Sequence, residues 1–100
     1  MLRLFKVSGD SLSPAFREGD FVLAAKIPFF LCPIREGDVI VFRHGRYGVM
    51  IKRVAFLEPE MDEIFVLGEG ENSADSRKFG PISRKNVLGK VIWHIRKPSS

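Results

Sequence analysis

Residues 38–58 read DVIVFRHGRYGVMIKRVAFLE, and this stretch leaves the chain few ways to fold. Two runs rich in β-branched and aromatic residues flank HGRYG, where Gly45 and Gly48 are free to take positive φ, so a tight β-hairpin is predicted. The same composition recurs along the chain. Short apolar runs bounded by Gly, Pro, Asp or Asn predict further strands over 2–7, 21–27, 63–68 and 87–96. The phrase REGD occurs at Arg17–Asp20 and at Arg35–Asp38, each time just before an apolar run. Each copy predicts a turn into a strand, because Gly permits the turn and Asp accepts local backbone hydrogen bonds. LEPEMDE predicts another turn, and the only helix expected is a single turn over 14–17 with Ser13 as its N-cap. The expectation is an all-β domain of hairpins and a partly closed sheet.

With 100 residues, 45% of them apolar, the chain has material for one core, and residues 1–100 are read as a single domain. Cys32 is the only cysteine, so no internal disulfide can form and a reducing compartment is expected. The net charge of +4 comes from basic residues dispersed in short pairs, such as Arg84/Lys85, rather than gathered on one element. That pattern describes a solvated surface, and no nucleic-acid partner is expected. The apolar window Phe21–Ile34 is interrupted by Lys26, Pro28 and Pro33 and falls short of the ~20 residues of a membrane helix. The first residues, MLRLFKVSGD, lack the apolar core of a signal peptide.

Metal and phosphate chemistry find little support in the sequence. His44 and His94 stand apart from any ligand at metal spacing, the acidic cluster Glu58, Glu60, Asp62 and Glu63 does not match a calcium loop, and no Gly-rich loop opens a helix. No cofactor is expected. Cys32, between Leu31 and Pro33, reads as a buried inert thiol. A serine nucleophile needs a base, and a lysine serves when burial lowers its pKa. Two lysines lie in apolar strands. Period-2 alternation places Lys52 on one face with Met50, Val54 and Phe56, and Lys90 on one face with Leu88, Ile92 and His94. The pattern does not choose between them, and either could lay its stem along apolar surface with its head in water. Ser11, in SGDSLSP, has by composition the surroundings of a turn.

Four segments in order, SGDSLSPAFREGDFVLA, REGDVIVF, VMIKRVAFLE and GEGENSADSRKFGPISRKNVLGKV, resemble the boxes of the Ser-Lys signal-peptidase family. The Gly-Asp-Ser opening is also similar to the LexA-type self-cleaving peptidases. The resemblance runs from about Val7 to Val91. It implies a signal-peptidase/LexA-like catalytic domain in which Ser11 is the nucleophile and Lys52, in IKRV, the general base. It further implies that Ser73, in NSADSR, orients the lysine, and that Asp75 and Arg77 hold the site together by an ion pair. The backbone N–H of Ser11 is the implied oxyanion donor. Gly9 stands where many bacterial members carry a serine that completes the oxyanion hole, which removes one side-chain donor.

The implied activity is removal of an N-terminal leader or propeptide from a precursor polypeptide. With no membrane anchor before Ser11 and no inserted second β-domain, the chain looks like the short, unanchored branch of the family, which includes maturation proteases of nickel-containing superoxide dismutase. A cytoplasmic location is expected on that reading. The alternative is a peripheral location at the cytoplasmic membrane, through a bilayer-facing patch of Phe29, Phe30 and Leu31. A non-catalytic binding or dimerisation module on a LexA-like peptidase fold is the competing function.

Overall fold

The computed structural model describes residues 2–7, 19–26, 34–58, 60–68 and 75–96. Among these, seven strands form one antiparallel sheet: β1 (Leu2–Lys6), β2 (Phe21–Ala25), β3 (Val39–His44), β4 (Gly48–Glu58), β5 (Glu63–Leu67), β6 (Ile82–Ser83) and β7 (Val87–Ile95). Their spatial order is β1-β2-β7-β3-β4-β5-β6, so the last strand returns to the middle of the sheet. The all-β expectation holds, with the sheet running open between β1 and β6 as its edges among the described residues. The six longer strands lie within two residues of the runs predicted from sequence.

β3 is the hub, because Val39, Ile40, Val41 and Phe42 are all buried. Alternate side chains of a strand point to opposite faces, so an unbroken apolar run needs a core on each. Ile40 and Phe42 join Ile34, Val54, Ile64, Val66, Ile82 and Val87 in one cluster. Val39 and Val41 join Val7, Val22 and Ala24 in the other. Each fully buried Val, Ile or Phe stabilises the fold by about 1.5–3 kcal/mol.

The turns follow from local chemistry. Gly19 and Gly37, the glycines of the two REGD phrases, take φ of 93° and 89°. In the second copy Asp38 Oδ2 accepts from the Arg35 N–H at 2.8 Å. In the HGRYG hairpin Gly48 has positive φ, whereas Gly45 does not. The turn is closed by a side chain instead, since His44 Nδ1 accepts from the Arg46 N–H at 3.0 Å and the Tyr47 N–H at 3.3 Å.

Three bulges correct the alternation read from the sequence. Between Val54↔Val66 and Phe56↔Phe65 the longer strand β4 carries one extra residue, Ala55. The slip inverts the pleat beyond it. Phe56 therefore leaves the face of Met50, Lys52 and Val54 and stacks on Phe65 at 4.2 Å between centroids. In β7 the register skips Leu88 against β3 and Ile92 against β2. Lys90 thus does not share a face with those residues. It stands opposite Ile40 and Ala25, Leu88 packs with the second cluster, and His94 stands opposite Val22.

A further correction concerns helix. The turn expected over 14–17 lies outside the described residues, while a short helix, α1 (Ser76–Phe79), forms where none was predicted. Asp75 is its N-cap, and Gly80, at φ 81°, ends it.

Candidate active site

Lys52 lies in the middle of β4, directly opposite Ile40 of β3. Its residue exposure is 2%, which marks it off from an ordinary strand lysine. Removal from water disfavours the ammonium, and burial is the largest influence lowering the Lys52 pKa. Asp75 opposes that shift by attracting the positive charge, and Arg77 adds to it by repulsion.

The β4–β5 register explains how Asp75 reaches this neighbourhood. Val54↔Val66 is followed by Arg53↔Leu67. Gly68 is the residue after Leu67, as Lys52 is the residue before Arg53. The Gly68 N–H donates to Asp75 Oδ2 at 2.9 Å, which fastens the carboxylate to the end of β5. Asp75 Oδ1 also caps α1 by accepting from the Arg77 N–H at 3.0 Å.

The Arg77 guanidinium grips both carboxylate oxygens, with Nε 3.1 Å from Oδ1 and Nη2 2.8 Å from Oδ2. Asp75 is fully buried, whereas 57% of the Arg77 side chain is exposed. Burial by itself would push the Asp75 carboxyl up; the hydrogen bonds from Arg77 and from the Gly68 amide outweigh it and bring the pKa to about 2. The same pair raises the Arg77 pKa. Because Arg77 balances the Asp75 charge, the carboxylate only partly offsets the desolvation of Lys52. Burial and the Arg77 charge thus favour the neutral amine, the form in which a lysine can accept a proton.

Lys90 has a different environment. Its Nζ lies 3.2 Å from Asp38 Oδ2, and its side chain is 26% exposed. Asp38 belongs to the second REGD turn, and its carbonyl accepts from the Val54 N–H at 2.7 Å. Lys90 is thus the ionic tie between β7 and that turn.

Ser11, Gly9 and Ser73 lie outside the described residues, as do Phe29, Phe30, Leu31 and Cys32. The described residues that flank 8–18 are hydrogen-bonded to one another. The Val7 N–H donates to the Asp20 carbonyl at 2.7 Å, and the Gly19 N–H donates to the Val7 carbonyl at 2.9 Å. Asp20, itself buried, meets His94 with 2.7 Å between Oδ2 and Nε2, which links this stem to β7.

Ser76 and the Asp20–His94 pair were not singled out from the sequence. Asp75 followed by Gly80 five residues on was a legible sign of a capped helical turn that brings Ser76 to its first position. The meeting of Asp20 with His94 joins positions 74 apart and carries no local signal.

A family model described as signal peptidase, peptidase S26, matches residues 1–61 and 59–95, so the two matches meet at the turn between β4 and β5. Signal peptidase I V of Bacillus subtilis (strain 168) is 26% identical in an alignment that covers 87% of this chain and 82% of that protein. The probable thylakoidal processing peptidase 2, chloroplastic, of Arabidopsis thaliana is 26% identical over 93% of this chain. Thylakoidal processing peptidase 1, chloroplastic, of the same plant is 25% identical over 93% of it. This chain spans 38% and 42% of the lengths of those two plant proteins.

Proposed function

This chain belongs to the signal peptidase, peptidase S26, family, and from that premise we propose that it is a serine endopeptidase that uses Ser11 and Lys52 to remove a leader or propeptide from a precursor polypeptide. The observation that carries the reading is the burial of Lys52 in β4, with its pKa lowered and the Asp75–Arg77 pair close by.

In the proposed reaction neutral Lys52 accepts the Ser11 proton as Ser11 Oγ attacks the scissile carbonyl. The tetrahedral intermediate places its oxyanion against the Ser11 backbone N–H. Collapse breaks the peptide C–N bond, and the Lys52 ammonium returns the proton to the departing amine. Lys52 then takes a proton from the water that attacks the acyl ester and passes it to the departing Ser11 Oγ, which frees the leader's new carboxyl end and restores both residues. Ser73 orients the lysine, and Asp75 with Arg77 supports the strand end beside it. Gly9 contributes no side-chain donor, so Ser8 or a further backbone N–H joins the Ser11 N–H in holding the oxyanion.

The test is cleavage of leader-bearing precursor polypeptides with small residues ahead of the cut, followed by mass spectrometry of the products. Wild-type protein is expected to give one defined new N-terminus, and Ser11→Ala and Lys52→Ala each to lose the activity by orders of magnitude. Equal cleavage by wild type and Ser11→Ala would falsify the assignment.

A further inference from the structure

We propose that Ser76 is a positioning residue for Lys52, acting through the outer edge of β5; the inference rests on the reading of Lys52 as the general base. β5 has β4 on one side, and on the other β6 reaches only Glu63 and Ile64. Beyond that point an edge strand presents backbone N–H groups that need acceptors. The structure supplies them from consecutive side chains: the Val66 N–H donates to Ser76 Oγ at 2.8 Å and the Gly68 N–H to Asp75 Oδ2 at 2.9 Å. Val66 and Gly68 are two residues apart, so their N–H groups leave the strand in the same direction. The start of α1 thus docks on β5 in place of a further stretch of strand.

Phe79 holds the far end of α1 against Phe42, His44 and Tyr47, so these two bonds set the near end, at Asp75 and Ser76. The Asp75 carboxylate cannot provide both anchors, since it already serves Gly68, the Arg77 backbone and the Arg77 guanidinium. Ser76 Oγ is therefore the second contact that sets where Asp75 lies relative to Lys52, whose charge it attracts. Without it the Val66 N–H loses its acceptor, the near end of α1 gains freedom about Gly68, and water gains a path toward the amine.

The experiment uses the full chain with 13Cε-labelled lysine, following the Lys52 resonance, assigned by its absence from Lys52→Met, through a pH titration. In the wild type this resonance is expected to titrate below the ordinary lysine range. Ser76→Ala is expected to move its midpoint up toward the ordinary lysine range and to lower kcat/KM at neutral pH by about tenfold to a hundredfold. Ser76→Thr, which keeps the hydroxyl, is expected to restore both. A Ser76→Ala protein that stays folded by thermal melting yet keeps the wild-type Lys52 midpoint overturns the proposal. Full cleavage by Lys52→Ala would instead overturn the reading on which it rests, so the two failures are separable.

Discussion

Lys90 Nζ lies 3.2 Å from Asp38 Oδ2, although Lys90 and Lys52 stand opposite the same residue, Ile40, from its two flanking strands. Directly opposed residues share a face. Two lysines therefore point to one side of the sheet, and only one of them is drawn into an ion pair with the REGD turn. Lys90→Ala is expected to retain cleavage and to lose no more than about 1 kcal/mol of stability, because a partly exposed ion pair contributes little. Urea denaturation beside a cleavage assay checks both. Loss of activity in Lys90→Ala at unchanged stability would move the base assignment away from Lys52.

The buried Lys52 costs the fold stability below the ordinary lysine pKa, because the folded chain gives up a proton that the unfolded chain keeps. Its folded pKa is lowered, so between that value and the ordinary lysine pKa the unfolded chain binds the extra proton. Stability should then rise with pH across this window, by about 1.4 kcal/mol for each unit separating the two pKa values. Lys52→Met is expected to be more stable than wild type at neutral pH, to lose this slope and to cleave nothing. Denaturation midpoints measured between pH 7 and 11 test it; parallel pH profiles for the two proteins would contradict the burial of the amine.

Asp75 acts in the opposite pH range. Its folded pKa of about 2 lies below the ordinary carboxylate value, so its contribution is complete above roughly pH 4 and is lost as the pH falls toward 2. That contribution is on the order of 2 kcal/mol. Asp75→Asn keeps the size of the side chain and removes the charge that Arg77 grips. The variant is expected to be less stable at pH 7, with the gap narrowing between pH 4 and pH 2. A constant gap across that range would mean that the carboxylate charge is not what secures the N-terminus of α1.

Gly89 of β7 faces β2 with no room for a side chain. A Cβ at this position would come within 2.9 Å of the Ala24 Cβ and 3.2 Å of the Ala25 carbonyl oxygen. Neither neighbour is the free end of a long side chain, so the strands themselves must part. Gly89→Ala is expected to destabilise the protein by about 1–3 kcal/mol. Pairing it with Ala24→Gly should recover part of that loss, as thermal melting would reveal; an unaffected single variant would show that β2 and β7 separate freely.

Much of this protein was determined locally and could be read without coordinates. Strand runs, the REGD turns with Gly19 and Gly37 at positive φ, and the hairpin closing at Gly48 depend on residues within a few positions of one another. The ordered boxes that resemble the signal peptidases are likewise a property of the chain, and the family match covers the same ground. Tertiary structure decided which lysine is buried. Period-2 alternation treats Lys52 and Lys90 alike, and it fails at Ala55, Leu88 and Ile92, where one strand carries a residue its partner does not match. A bulge is a relation between two strands, so neither strand's sequence announces it. The same reason explains Asp75 and Ser76: their acceptor roles arise because β6 is too short to cover β5, leaving the N–H groups of Val66 and Gly68 for side chains to satisfy.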